Sequence, residues 1–122
     1  MIRGFKKFQK DVAMWVQQVF GTLIANDIKI RNHRFIEESF ELVQSLGATK
    51  EECLCILNYV YSRPLGEPDQ EVGGVMITLA ALCTAADIKL EHSAKMELSK
   101  IWNNIEKIKA KSLLKPSFIQ KQ

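Results

Sequence analysis

EPDQEVGGVMITLAALCTAA, residues 67–86, is the stretch that decides the fold class of this chain. Pro68 suits the first turn of a helix, with Glu67 before it as the cap, and Glu71 places negative charge near the positive end of the helix dipole. From Val72 onward, apolar side chains cover the whole circumference of the predicted helix, so we expect neighbouring elements to surround it. The stretch therefore predicts the central helix of an all-α protein.

The rest of the sequence predicts four further helices, because its apolar residues recur every three or four positions and rarely alternate. Thr49 and Glu52 form a T-x-x-E capping box, and residues 62–68 hold two prolines and a glycine, which forbid a continuous helix. The predicted helices run from about Phe5 to Phe20, from a cap at Asn26 or Asp27 to Gly47, from Thr49 to the break at Ser62, from Pro68 onward, and from about Leu90 to Lys111. The expected fold is a four- to five-helix bundle.

Length and charge limit the domain organisation. The chain has 122 residues, of which 47% are hydrophobic and 25% charged, which is typical of one folded domain. Residues 1–106 contain 12 basic and 14 acidic side chains, a charge of −2, whereas residues 107–122 contain five lysines and no acid, a charge of +5. We therefore predict one acidic helical domain over residues 1–114 and a polar basic tail over 115–122. Nucleic acid is not the expected partner, although the lysines would be the part of the chain to bind it.

The cysteines and the apolar runs bear on location. Cys53, Cys55 and Cys83 form no C-x-x-C pair, so we expect buried free thiols in a reducing compartment. The basic N-terminus leads into no apolar run of the kind that secretory signals contain, and the longest run of low polarity, residues 73–86, is shorter than a membrane span. The sequence predicts a soluble, cytoplasmic protein with no membrane partner.

Two glutamates in the second predicted helix share one helical edge. Glu38 and Glu41 lie three residues apart in RFIEESFEL and border the apolar stripe that contains Phe35. A carboxylate that is half sheltered from water is a good ligand for a hard cation. The simpler interpretation is a solvated face on which Arg34 neutralises Glu38, and taken alone the pair favours that interpretation.

Glu71 changes the balance between these interpretations. It opens a helix that otherwise requires burial, so its side chain points either to a surface end of the helix or into a sheltered polar site between helices. Taken alone it is explained by the helix dipole, but in the sheltered position it would complete, with Glu38 and Glu41, an all-oxygen set of the kind that suits Mg²⁺. Gly73 and Gly74 follow in the interior of the helix, where each costs about 1 kcal/mol relative to alanine. Two such glycines indicate either close helix packing or a need for space beside the site.

These segments resemble the MazG-like all-α nucleotide pyrophosphohydrolases, the group that also includes the dimeric dUTPases. The resemblance covers residues 34–108 and depends on E38-x-x-E41 followed by E71-V-G-G-V on a buried helix. It implies hydrolysis of a nucleoside triphosphate to a monophosphate and pyrophosphate, dependent on Mg²⁺ or Mn²⁺. It also implies metal binding by Glu38, Glu41 and Glu71, with Glu38 and Glu41 as the catalytic residues.

The sequence departs from the family pattern at Gly74, where the family has an aspartate. A glycine cannot bind a metal through a side chain, which leaves three alternatives: water fills that position, another acid replaces the aspartate, or catalysis is lost. Glu37, on the same helix as Glu38, is the best-placed substitute. The alternative function is a catalytically impaired MazG-like module that binds a nucleotide or a protein.

Triphosphate hydrolysis also needs cations that meet the phosphates and groups that hold the base. Arg63, Lys95 and Lys100 are candidates for the phosphates, although exposed lysines usually serve solubility. Asn104 and Trp15 are candidates for the remaining contacts, although tryptophans at this spacing are usually core residues. The resemblance and the apolar central helix together lead us to expect a homodimer or higher homo-oligomer.

Overall fold

The computed structural model describes residues 3–115, and over that range the fold is all-α, as the sequence predicts. No strand occurs between residues 3 and 115. The helices, numbered in chain order, are α1 (Arg3–Ala25), α2 (Ile28–Ser45), α3 (Lys50–Tyr61), α4 (Pro68–Ala85), α5 (Leu90–Trp102) and α6 (Ile105–Ser112). The tail predicted for residues 115–122 lies outside the described residues, apart from Lys115.

Most helix ends follow the local sequence. The Thr49 hydroxyl accepts a hydrogen bond from the Glu52 N–H at 3.1 Å, which confirms the predicted cap of α3. Pro68 opens α4, as predicted. Gly21 interrupts the helical conformation of α1 with φ 83° and ψ 165°, but the chain then resumes a helical course to Ala25. The first helical segment therefore ends before Gly21, as predicted, and the sequence interpretation missed only the short second segment that continues to Ala25.

The single helix predicted from Leu90 to Lys111 is wrong, because the chain breaks it between α5 and α6. The Asn104 side-chain amide donates a hydrogen bond to the Lys100 carbonyl at 2.7 Å. In a continuous helix that carbonyl would accept from the backbone N–H of Asn104, which instead donates to the Ile101 carbonyl at 3.3 Å. Competition by a side-chain amide for a backbone acceptor explains the break.

The described chain divides into two units. The terminal unit contains the residues up to Ile36 and those from Ala94 onward, and the central unit is Glu37–Ser93. In the terminal unit, Trp15 and Val19 are buried, and the Trp15 indole N–H donates to the Ile101 carbonyl at 3.0 Å. The ring of Trp15 meets the ring of Phe20 edge to face, with centroids 6.0 Å apart. Trp15 is thus a core residue, which confirms the interpretation of its spacing as core packing.

The central unit is much less buried than the sequence predicts. Cys83 is its one buried residue among those that the structure describes, whereas Val72 is 63% and Ile77 is 73% exposed. The expectation that α4 is surrounded on all sides is therefore wrong for a single chain. All three cysteines are free, but Cys55 is exposed and Cys53 only half-buried, so the expectation of buried thiols holds for Cys83 alone.

One further finding concerns membrane-spanning potential. Between residues 3 and 115 no single helix has the length and apolar character needed to cross a membrane. The pair α4 and α5 meets the same test of length and composition only when the two are counted together across the bend between them.

Candidate metal and nucleotide site

Glu38 and Glu41 lie on α2 in the central unit. The helix is continuous through both residues, so the shared helical edge predicted from their spacing is present. Both side chains are exposed, and Glu37 beside them is half-buried. The edge is therefore open to a ligand from solvent.

Glu71 lies in the first turn of α4, in the same unit, and is exposed. Its carboxyl group lies directly over Gly66: a Cβ atom built on that glycine would be 2.9 Å from Glu71 Cδ and 3.3 Å from Cγ. Any side chain at residue 66 would therefore displace the carboxyl group of Glu71. Gly66 thus belongs to the surroundings of a candidate ligand, which sequence reasoning missed. Its place between the two prolines before α4 marks it only as part of a turn.

The described residues of one chain do not bring the three glutamates together. No group of three or more histidine, cysteine, aspartate or glutamate side chains between residues 3 and 115 is close enough to hold a metal ion. Carboxylates have the right chemistry for Mg²⁺ or Mn²⁺, but the spacing along two helices is not yet a ligand set. The metal site of Glu38, Glu41 and Glu71 stays a prediction, and no chemical step through a metal follows from the structure.

The glycine pair of α4 has open space around it. An added Cβ at Gly73 or Gly74 would meet no heavy atom within 4 Å, so close packing inside the described chain does not explain either glycine. The carbonyl of Gly74 accepts a hydrogen bond from the Thr78 hydroxyl at 2.9 Å, which leaves the helix intact. A side chain at residue 74 would therefore fit without steric cost.

Arg63 is the candidate phosphate-binding cation with the most defined surroundings. It follows α3, and its guanidinium lies over the Tyr59 ring, 4.6 Å from the centroid. Its Nη1 also donates to the Tyr59 hydroxyl at 3.1 Å. Because both residues are exposed, the stacked guanidinium remains accessible to an anion.

The other candidate substrate contacts lie in the terminal unit. Lys95 and Lys100 are exposed on α5. Asn104 uses its side-chain amide to break the helix between α5 and α6, and Trp15 is only 7% exposed with its indole N–H already bonded. The structure therefore gives Asn104 and Trp15 structural roles.

Arg31 is a partly buried cation, which sequence reasoning missed. Its Nε atom is buried and has no hydrogen-bond partner among the described residues. Burial lowers the pKa of the Arg31 guanidinium, and the neighbouring positive charge of Arg34 lowers it further, while Asp27 partly offsets both. The spacing of three residues between Arg31 and Arg34 indicates the like-charge contact, but burial of Nε could not be inferred from sequence.

Comparison with known proteins gave no match: no family model, no curated protein and no solved structure resembles the chain. The resemblance to the MazG-like proteins therefore depends on the E-x-x-E and E-V-G-G-V segments alone.

Proposed function

We propose that this chain is a MazG-like nucleotide pyrophosphohydrolase that uses Mg²⁺ or Mn²⁺ and releases a nucleoside monophosphate and pyrophosphate. The observation that carries the proposal is the exposure of Glu38, Glu41 and Glu71 on two helices of one unit, at the motif spacing of that family. The all-α fold is compatible with it. The cytoplasmic location stays a prediction.

The reaction requires no covalent bond between the protein and the nucleotide. Water attacks phosphorus, the bond between the α- and β-phosphates breaks, and pyrophosphate leaves with the electron pair of that bond. A glutamate of the E-x-x-E pair would accept the proton of the attacking water. Arg63, stacked on Tyr59, would offset negative charge on the phosphates.

Pyrophosphate release from a panel of ribo- and deoxynucleoside triphosphates, with Mg²⁺ and with Mn²⁺, tests the proposal. Turnover of at least one nucleotide is expected, and Glu38→Gln or Glu41→Gln should reduce it by about 100-fold or more, as loss of a general base does. Glu97→Gln is the matched control, because Glu97 is an exposed glutamate on α5 outside the motif. No turnover on the whole panel, or equal activity in all three variants, would refute the proposal.

A binding module without catalysis is the second candidate. Gly74 in place of an acid and the separation of the three glutamates in one chain favour it. Calorimetry with Mg²⁺ and non-hydrolysable triphosphates separates the two functions. Binding without turnover of the natural nucleotides would support the module, and turnover would exclude it.

A further inference from the structure

Positive charge is concentrated in the terminal unit. Residues 1–36 and 94–122, which form this unit, contain 14 basic and 4 acidic side chains, a charge of +10. The central unit, Glu37–Ser93, contains 3 basic and 10 acidic side chains, a charge of −7. The net charge of +3 therefore conceals two units of strong and opposite charge.

The lysine-rich C-terminal segment accounts for only half of the positive charge of the terminal unit. Residues 107–122 contribute +5, and residues 1–36 together with 94–106 contribute the other +5. When charge is counted along the chain, the acidic side chains of residues 37–93 cancel this second half. For that reason nucleic acid is not the partner expected from the sequence, whereas the division of the folded chain gives one unit the charge of a polyanion-binding protein.

Three exposed lysines form a stripe on α1. Lys6, Lys7 and Lys10 lie within about 100° of one another around the helix axis, and all three are exposed. Lys7 is paired with Asp11, with 2.8 Å between Nζ and Oδ2. Lys6 and Lys10, one turn apart, have no ion pair within the described residues. These two lysines are therefore available to an anion from solvent.

α6 adds two further lysines to the same unit. It contacts α1, and its Lys107 and Lys111 are exposed four residues apart on one helical edge. Together with Lys6 and Lys10 they give four exposed cations on two helices that touch. Cations of one sign gathered in this way raise the local concentration of a polyanion and accelerate its association.

The orientation of α1 favours a nucleic acid over a membrane surface. An interfacial membrane helix inserts its apolar face among the lipids. The apolar face of α1 contains Trp15 and Val19, which are buried, and Lys10 lies about 140° from the first and about 180° from the second around the axis. The lysine stripe therefore faces away from the core, where the phosphates of a nucleic acid can reach it without any apolar insertion.

We propose that the terminal unit binds nucleic acid through its phosphates, with Lys6 and Lys10 of α1 and Lys107 and Lys111 of α6 as the cations that meet the backbone. Because phosphate contacts carry no sequence information, this binding is independent of base sequence. The acidic central unit repels the same polyanion, so binding is confined to the terminal unit. The proposal does not depend on nucleotide hydrolysis, since it needs neither a metal nor the glutamates of the candidate site.

Fluorescence anisotropy of a labelled DNA duplex of roughly 20 base pairs, titrated with the full chain in EDTA, tests the proposal. The dissociation constant should be on the order of 10⁻⁶ M at about 50 mM salt. If four lysines each meet a phosphate, the logarithm of the association constant should fall with the logarithm of salt concentration with a slope of roughly −3.6. That slope corresponds to a loss of affinity of roughly 100-fold between about 50 and 200 mM salt. A second duplex of unrelated sequence should bind equally well.

A matched pair of double variants separates the lysine stripe from net charge. Lys6→Gln with Lys10→Gln should weaken binding by about 10-fold or more and reduce the salt slope by about two. Lys50→Gln with Lys89→Gln removes the same charge from exposed lysines of the central unit and should change affinity less than about twofold. Far-UV circular dichroism checks that both variants keep their helices, which glutamine favours.

The contribution of α6 is tested by Lys107→Gln with Lys111→Gln, which should weaken binding as much as the α1 pair does. Vesicles that contain phosphatidylserine are the alternative probe, because Phe5 and Phe8 are 51% and 37% exposed on the apolar side of α1. No DNA binding at low salt, or vesicle binding in its place, would overturn the proposal. Binding that the helical α1 or α6 variant retains as well as the central-unit control would overturn it too, since the named lysines would then not be the cations involved.

Discussion

Replacing Trp15 by phenylalanine should separate the contribution of one buried hydrogen bond from that of the aromatic core. The Trp15 indole N–H donates to the Ile101 carbonyl at 3.0 Å, and 86 residues separate these partners in sequence. The bond therefore connects α1 to the C-terminal end of α5. Phenylalanine retains an aromatic ring in the core but removes the donor.

The expected loss of stability depends on which hydrogen bonds the Ile101 carbonyl keeps after the substitution. The Ile101 oxygen also accepts from the Asn104 N–H at 3.3 Å, so the substitution does not leave it without a partner. The lost hydrogen bond should then cost about 1 kcal/mol, and not the larger penalty of an unsatisfied buried group. The smaller ring should add about 1 kcal/mol, as part of the roughly 3–5 kcal/mol that complete truncation of a buried tryptophan costs. We expect the free energy of unfolding to fall by about 2 kcal/mol in total.

Urea unfolding followed by circular dichroism at 222 nm, at one fixed protein concentration, measures this difference. Trp102→Phe is the matched control, because Trp102 is only half-buried and its indole N–H makes no hydrogen bond within the described residues. The control should lose about 1 kcal/mol or less, the cost of a smaller ring alone. If Trp15→Phe were no more destabilising than Trp102→Phe, the link between α1 and α5 would contribute nothing and the reasoning would be refuted.

Substitutions at four further positions test individual features. Thr49→Ala should lower the free energy of unfolding by about 1 kcal/mol through loss of the α3 cap, and Thr49→Ser should restore most of it; equal stability of the two would contradict the capping role. Asp87 has φ 56°, a left-handed conformation that glycine adopts without strain, so Asp87→Gly should raise the free energy of unfolding by about 0.5–1 kcal/mol. An unchanged or lower midpoint of thermal unfolding would show that Asp87 is not strained. Arg31→Met should stabilise the chain by about 1 kcal/mol in urea, because it removes the unsatisfied Nε while keeping an apolar side chain; destabilisation would mean that Nε has a partner in solution. Gly74→Asp should raise Mg²⁺ affinity in calorimetry without loss of helicity, since a side chain has room there, and unchanged affinity would argue against a metal site that includes this position.

Local structure could be predicted from the sequence where a few neighbouring residues determine it. The cap of α3 depends on Thr49 and the N–H three residues later, and the start of α4 depends on the fixed φ angle of Pro68. The break before α6 was missed because Asn104 can either face solvent or compete for the Lys100 carbonyl, and its identity alone does not decide between them. Burial of α4 was wrongly predicted, because apolar character shows that a helix requires cover but does not show which chain provides it.

In the candidate site, too, the sequence predicts the local features and does not predict the packing. The shared edge of Glu38 and Glu41 could be predicted because it depends only on helix periodicity within α2. Whether Glu71 joins them depends on how α2 and α4 pack, and no local pattern specifies that. The three glutamates are exposed and separate in the described chain. Their arrangement is the part of the prediction that sequence could not provide.

The exposed glutamates and the exposed apolar side chains of α3 and α4 belong to the same unit. In the central unit, Cys83 is the one buried residue that the structure describes, so burial contributes little and the helices depend on local terms such as the Thr49 cap and the proline start of α4. α3, with 12 residues, has a length at which an isolated helix is marginal in water, and the glycine pair lowers the stability of the longer α4. Most of the hydrophobic stabilisation available to Val72 and Ile77 is therefore unused in the described chain. Any contact that covered these side chains would also hold the helix that carries Glu71, so the stability of α4 and the position of a candidate ligand are linked through the same helix.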